Sequence, residues 1–159
     1  SRIESGNMPF HCEDCSAHHF SETVYQTHQV IILPPVEFIK EFPDEDVTIH
    51  IDRMRLTQVI TNFLGNAKKF TSQGHIKLGY FCDKEKKEIH FFVEDTGAGI
   101  PKEELQMIFE RFYKRNEFVQ GVGLGLAISK VIVEKMNGHI DVQSEVNKGS
   151  RFTAVLPYL

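Results

Sequence analysis

Three groups of residues in this chain have the types and spacing to do chemistry. The first is Asn62, Asn66 and Lys69, with Gln58 beside them. At about 100° per residue on a helix, the three fall within roughly 60° of one another. Leu56, Val59, Ile60, Phe63, Leu64, Ala67 and Phe70 form an apolar stripe on the other side. An asparagine carbonyl oxygen suits a hard cation such as Mg²⁺. A lysine one to two turns away can meet phosphate as a point charge. The second group is Glu94-Asp95-Thr96-Gly97-Ala98-Gly99-Ile100-Pro101. A strand delivers Asp95 to its own end, where α/β proteins open ligand crevices. A carboxylate held there accepts hydrogen bonds, for example from the exocyclic amine of a purine. The third is Gly121-Val122-Gly123-Leu124-Gly125-Leu126, three glycines at alternate positions running into an apolar helical pattern. Glycine lets a backbone approach a ligand closely, and a helix N-terminus turns unpaired N–H groups toward an anion. Each group also has a plain structural explanation: a solvated helix face, an Asp-Gly turn, a glycine-rich turn entering a core helix.

The elements that must position these groups follow from periodicity. A short edge strand is expected over 8–12. Ser16 is placed to cap a helix over 17–30, which Pro34-Pro35 ends. A strand over 36–42 and a turn over 43–46 lead into the alternation of Val47, Ile49 and Ile51. Asp52 caps a long helix running to Phe70, and Ser72-Gln73-Gly74 closes it. Strands over 75–82 and 88–95 flank a polar hairpin loop. Pro101 suits the start of a short helix over 102–111. A mobile loop is expected over 112–120. The glycine-opened helix runs to about residue 136, where Asn137-Gly138 stops it. Strands over 139–145 and 151–157 finish the chain, joined by a turn at Asn147-Lys148-Gly149. The strands mostly alternate and helices fall between strand pairs. This predicts an α+β fold: a two-layer α/β sandwich whose mixed, mostly antiparallel sheet carries three helices on one face.

Composition narrows the classes of function. The 159 residues suffice for one domain with a real core. With 41% hydrophobic and 25% charged residues the chain reads as globular. A net charge of −4 and scattered lysines and arginines give no pull toward nucleic acid. No apolar run approaches the roughly 18 residues that span a bilayer, and no signal-peptide pattern opens the chain. Three cysteines, Cys12, Cys15 and Cys82, cannot all pair, which fits a reducing compartment. The start, Ser1-Arg2-Ile3-Glu4-Ser5-Gly6, reads as the tail of a helix stopped by glycine, and hence as a domain whose parent continues upstream.

Taken in order, these pieces resemble the catalytic, ATP-binding domain of sensor histidine kinases, in the superfamily shared with gyrase, heat-shock chaperone and mismatch-repair ATPases. Gln58 to Thr71, with Asn62, Asn66, Lys69 and Phe70, is similar to that family's N box. Asp95-Thr-Gly97-Ala-Gly99-Ile100-Pro101 resembles its G1 box, Phe109-Glu-Arg-Phe112 its F box, and Gly121-Val-Gly123-Leu-Gly125-Leu its G2 box. Gly149-Ser150-Arg151-Phe152-Thr153 resembles the closing Gly-Ser/Thr-x-Phe strand, and Arg2 to Gly6 the junction after the dimerisation helices. The resemblance implies a Bergerat-type ATP-binding fold over 8–159, preceded at 1–7 by the end of a dimerisation helix or linker. It implies ATP and Mg²⁺ as ligands. Asn66 would coordinate Mg²⁺, with Asn62 nearby on the phosphates or the metal's waters. Lys69 would contact phosphate and Phe70 would line the base pocket. Asp95 would bind the adenine amine, bordered by Gly97, Gly99 and Ile100, with Thr153 also in the site. Gly121, Gly123, Leu124 and Gly125 would hold the phosphates beneath a lid over 113–120, with Tyr113, Lys114, Arg115 and Gln120 in reach.

The implied partners are the dimerisation and phosphoacceptor domain of the same parent chain and a response-regulator receiver domain. The parent would be a homodimer and the isolated domain a monomer. The domain would be cytoplasmic, its parent either an inner-membrane sensor or not. None of the eight histidines is followed by the family's phosphoacceptor sequel, so the acceptor is expected upstream. Asn62 stands where related hydrolytic ATPases place a glutamate; an amide cannot act as a general base, which favours phosphoryl transfer over hydrolysis. A hydrolytic ATPase and a degenerate interaction domain remain the alternatives. His11-Cys12-Glu13-Asp14-Cys15-Ser16-Ala17-His18-His19 carries donors compatible with Zn²⁺, but it has no second cysteine pair, and incidental side chains are the better reading.

Overall fold

The computed structural model describes residues 9–110 and 122–159, the side chains of 122–124 excepted. Two helix starts follow from local chemistry. Strand β1 (Glu13–Ser16) runs into α1 (Ala17–Gln29), where Ser16 accepts the His19 N–H at 3.0 Å. Asp46 reinforces that cap from the next loop, accepting from the Ser16 hydroxyl at 2.5 Å and the His18 N–H at 3.0 Å. Helix α2 (Arg53–Phe70) starts at Asp52, which accepts the Arg55 N–H at 3.1 Å with one oxygen and the His11 N–H at 2.9 Å with the other. Helix α3 (Val122–Lys135) ends where Asn137 turns left-handed at φ 65° and the Gly138 N–H returns to the Val133 carbonyl at 3.0 Å.

Strands β2 (Val36–Glu41), β4 (Gly74–Asp83), β5 (Glu88–Asp95), β6 (His139–Glu145) and β7 (Gly149–Pro157) form one sheet in the order β2-β4-β5-β7-β6. β2 and β4 are parallel and the other pairs are antiparallel. β5 is therefore the central strand. One sheet face carries Ile76, Leu78, Tyr80, Ile89, Phe91, Val93, Phe152 and Ala154, and the helices cover it. Phe20 of α1 meets Phe91 at 5.5 Å, and Phe63 of α2 meets Phe152 at 5.4 Å between ring centroids. Among the described residues, no helix lies on the opposite face. There the Arg151 guanidinium lies 3.8 Å from the Phe92 ring centroid, and Phe81 stacks on His90 at 4.5 Å.

The expected α+β two-layer sandwich is what forms, with three local differences. β3 (Thr48–Ile51) leaves the main sheet and pairs with β1 in a separate antiparallel ribbon. The first strand lies at Glu13–Ser16 rather than over 8–12. Pro9 has no N–H to give a ladder, His11 spends its N–H on Asp52, and Cys15 points inward opposite Ile49. The expected helix over 102–111 is a 3-10 turn, Lys102–Glu104, followed by turns. Its bonds run three residues back, Leu105 to Lys102, Met107 to Glu104 and Glu110 to Met107. A three-residue repeat puts Leu105 and Ile108 on one side, and both pack on the core. Arg111, Phe112 and the expected lid over 113–120 lie outside the described residues, as do residues 1–7.

Asp52 joins the entry of α2 to the segment before β1 while buried at 6% exposure. Asp52→Ala should therefore cost about 1–3 kcal/mol in urea unfolding, more than an isolated cap, while Asp52→Asn, whose amide offers one acceptor oxygen for the two N–H groups, should lose an intermediate amount. Equal losses for both variants would show that charge rather than geometry holds this joint.

Candidate functional site

The site is built on the polar side of α2. The same winding that sends Leu56, Val59, Ile60, Phe63 and Leu64 into the core leaves Asn62 and Asn66 half-buried and Lys69 exposed. Thr61, Asn62, Gly65, Asn66 and Lys69 line a cleft of about 150 Å³ whose other wall is Gly125 and Leu126 of α3. The three residues expected from helical spacing are thus together, and they face the glycine-rich start of α3.

Asn62 is more than a wall. Its Nδ2 donates to the Gly125 carbonyl and to Ser129 Oγ, each at 3.1 Å. The Gly125 carbonyl can only accept, so it fixes which end of the amide faces α3. The amide nitrogen is committed to bridging the helices, and the oxygen is the end left for the cleft. Ser129 is fully buried, at 0% exposure. It carried no chemical signal in the sequence because it sits among the apolar residues of its helix.

The second part of the site lies where β5 ends. Asp95 is 8% exposed. Burial raises its carboxyl above the ordinary range, while the N–H groups of Gly97 and Ser150 and the Thr71 hydroxyl pull it back down. The Gly97 N–H reaches Asp95 Oδ1 at 2.8 Å. Thr71 Oγ1 is itself buried and makes no hydrogen bond of full geometry. The loop after Asp95 is sewn to its surroundings: Ala98 N–H to the Phe70 carbonyl at 3.2 Å, Ile100 N–H to Ser144 Oγ at 2.7 Å, and Asn147 N–H to the Ala98 carbonyl at 2.8 Å. Ser144 also donates to the Gly149 carbonyl at 3.0 Å and lies 2.8 Å from Ser150 Oγ.

Two glycines of this loop have structural duties. Gly97 packs so close to the Phe70 carbonyl and Thr71 Oγ1 that a Cβ would overlap them. Gly99 turns at φ 72°, its would-be Cβ against the Glu145 carbonyl. Ile100 is buried beside them at 8% exposure. The C-terminal end of α2 thus abuts the Asp95 loop, and Phe70 and Thr71 link the amide-lined cleft to the carboxylate. A more open groove of about 420 Å³ curves round the end of β5, lined by His75, Glu94, Thr96, Lys148 and Arg151, and it also touches Asp95.

Other sequence expectations land differently. Thr153 is not in this group. It pairs with Phe92 and Asp141 on the sheet face away from Asp95, because β7 alternates and it is Ser150 that stands opposite Asp95. Of the glycine run, Val122 to Gly125 belong to α3, the glycine-opened helix expected there. Gly123 and Leu124 lie in that first turn, and their side-chain roles fall outside the described residues. So do Tyr113, Lys114, Arg115, Gln120 and Gly121. Phe109 packs on the core, its ring 6.4 Å from Phe152. The cysteine and histidine donors near the N-terminus do not converge, with Cys15 buried and Cys12 exposed.

The buried carboxylate gives a pH signature. Its folded value is raised, so the folded chain holds that proton to higher pH than the unfolded chain does. Stability should then fall as pH climbs from about 4 through the raised value, and the deficit should persist above it. Asp95→Asn removes that deficit. The variant should be at least as stable as the parent at pH 7, with a flatter melting-temperature profile between about pH 4 and 7. A clearly lower melting temperature at pH 7 would show that the ionised carboxylate is net stabilising.

The chain was compared with known proteins. The family model described as histidine kinase-, DNA gyrase B-, and HSP90-like ATPase matches residues 51–159. The sensor histidine kinase WalK of Bacillus subtilis (strain 168) is 33% identical over 163 residues, covering 99% of this chain and 27% of WalK. The sensor protein SrrB of Staphylococcus aureus (strain NCTC 8325 / PS 47) is 44% identical over 110 residues, 67% of this chain and 19% of SrrB. The chain therefore spans about a quarter or less of the length of these relatives. Among solved structures, full-length ShkA in complex with AMPPNP superposes with a TM-score of 0.88 at 27% identity, covering 99% of this chain and 33% of that one. The catalytic domain of the histidine kinase ThkA, in a nucleotide-free form, gives 0.81 at 28% identity, with 93% and 96% covered. The model match takes in more than half of the chain, including α2, Asp95 and α3 in the same order, and the chain belongs to the family of histidine kinase-, DNA gyrase B- and HSP90-like ATPases.

Proposed function

We propose that the chain binds Mg²⁺–ATP and passes the γ-phosphoryl group to a histidine on the dimerisation domain of its parent, a two-component sensor kinase. The observation that carries this reading is the buried Asp95 carboxylate at the end of β5, with the buried Thr71 hydroxyl beside it. An ionised acceptor kept out of water in this way suits a fixed donor such as the adenine amine. The AMPPNP bound in the ShkA structure supports a nucleotide as the ligand class.

The remaining residues divide the labour along α2. Phe70, packed against the core, borders the base, together with Gly97, Gly99 and Ile100. Lys69, Asn66 and Asn62 lie successively earlier on the same helix, toward the phosphates and α3. The donor set fits Mg²⁺: the Asn66 amide oxygen is a hard, neutral ligand, and the Asn62 oxygen is the free end of a pinned amide. When bound, Mg²⁺ neutralises charge on the phosphates. Gly123, Leu124 and Gly125 bring the backbone at the start of α3 to the phosphate end, where a helix N-terminus favours negative charge. In the transfer the acceptor imidazole nitrogen forms the new N–P bond, the bond to the γ-phosphorus breaks, and ADP leaves with the electron pair. Among the described residues of the cleft none is a general base, so the chain contributes positioning and charge neutralisation. Tyr113, Lys114, Arg115 and Gln120 would close over the nucleotide. The onward partner is a response-regulator receiver domain. No helix of the described residues is long and apolar enough to cross a membrane; we assign the domain to the cytoplasmic side of its parent.

Calorimetric titration with ADP and Mg²⁺ tests the site. The intact chain should bind, and Asn66→Asp and Asp95→Asn should each weaken binding by about tenfold or more, the equivalent of one charge-assisted hydrogen bond. No binding by the intact chain sinks the reading. With γ-labelled ATP the chain alone should gain no stable phosphohistidine. Rapid steady-state phosphate release would make it a hydrolytic ATPase instead.

A further inference from the structure

Well away from the α2 cleft, the hairpin joining β4 to β5 gathers three metal-binding side chains on the sheet face that no described helix covers. Asp83 and Glu88 are cross-strand partners, and His90 follows Glu88 two residues on, on the same face. One donor atom from each lies within 4.8 Å of the other two, and all three residues are half-buried. His90 Nε2 stands 3.7 Å from Glu88 Oε1, beyond hydrogen-bond reach. That nitrogen is sealed from solvent and has no hydrogen-bond partner. A buried imidazole nitrogen without a hydrogen bond costs free energy, which a bound ion would offset.

The donors are already held in place. Phe81 stacks on the His90 ring at 4.5 Å with 19° between the planes. Asp83 Oδ1 accepts the N–H groups of Glu85 and Lys86 at 3.1 and 3.2 Å, which orients the carboxylate and leaves its other oxygen uncommitted. The neighbouring cation, Lys84, is drawn off to Glu45 at 2.7 Å and does not neutralise the pair.

We propose that Asp83, Glu88 and His90 form a binding site for a divalent cation of the zinc class, with three protein donors and a water in the fourth position. The chemistry selects the ion. Mg²⁺ and Ca²⁺ prefer all-oxygen sets, whereas one imidazole nitrogen with two carboxylates suits Zn²⁺ and similar ions. Two donors each about 2.0–2.1 Å from a tetrahedral ion stand roughly 3.3 Å apart, so the 3.7 Å gap closes with a small side-chain movement. The bound ion would tie the last residue of β4 to the first turn of β5 and so brace the hairpin. Among the described residues this is the group of three such side chains that converges; the histidines and cysteines around β1 do not.

The test uses the metal-free chain, without nucleotide, on a Cys12→Ser background that removes the exposed thiol. Calorimetric titration with ZnCl₂ should show one equivalent bound and a rise in melting temperature. His90→Gln and Glu88→Gln should each weaken Zn²⁺ binding by at least about tenfold and abolish the thermal shift. Their circular dichroism and their affinity for ADP should be unchanged, which separates loss of the site from loss of the fold. If His90→Gln disturbs the sheet, Asp83→Asn and Glu88→Gln, nearer the hairpin tip, carry the comparison. Absence of stoichiometric binding, or binding that survives Glu88→Gln and His90→Gln, would overturn the proposal.

Discussion

A carboxylate held out of water at the end of the central strand is the constraint on which this domain is organised. Burial of Asp95 disfavours its ionised form, so the surrounding chain must return enough hydrogen bonding to hold it. The Gly97 and Ser150 N–H groups do so, and each demands a specific backbone path. Gly97 can reach back only by turning tightly against the end of α2, where no side chain fits. Ser150 is available only because β7 pairs with β5 in one register. The Ser144 bridge to Ile100, Gly149 and Ser150 then locks the β6–β7 turn to the loop. A large part of the local architecture is thus the cost of keeping one charged group where a ligand can meet it.

Helix α2 links this constraint to the rest of the molecule. Its apolar stripe supplies Phe63 to the aromatic contact with Phe152, while the polar side supplies Asn62 and Asn66 to the cleft. A helix places both sets with one geometry, so the polar face is positioned by the same packing that fills the core behind it. Asn62 then spends its amide nitrogen on Gly125 and Ser129. That bridge couples the position of α3 to α2 directly, without a loop between them. A site built this way is preorganised on two helices and the end of a strand, while the lid segment expected over 113–120 lies beyond the described residues.

Local chemistry was legible before the fold was seen. Ser16 and Asp52 cap their helices as their types and positions suggest, because a cap is an interaction within four residues. The Asn62, Asn66 and Lys69 face follows from helical spacing alone. The sheet order, the separation of the β1–β3 ribbon and the face on which Thr153 lies were not legible, since they depend on strand pairings between distant segments. The segment after Pro101 misled for a related reason. Its residue types permit a helix, but its backbone bonds run three residues back, with Leu105 and Ile108 packed on the core.

The sequence by itself determined which residues carry chemistry, in what order, and on which kinds of element, because side-chain type and short-range periodicity are properties of the chain. Four motifs in one order sufficed to identify the family. Only the tertiary structure decided which of those residues meet. Ser150 rather than Thr153 faces Asp95, Ser129 holds Asn62, and the buried Thr71 hydroxyl lies beside the carboxylate. The glycines of the Asp95 loop prove to serve the packing of the loop itself, against α2 on one side and the β6–β7 turn on the other. Those outcomes depend on register and on contacts between segments far apart in the chain, and a buried polar group declares its partners only once the fold has closed around it.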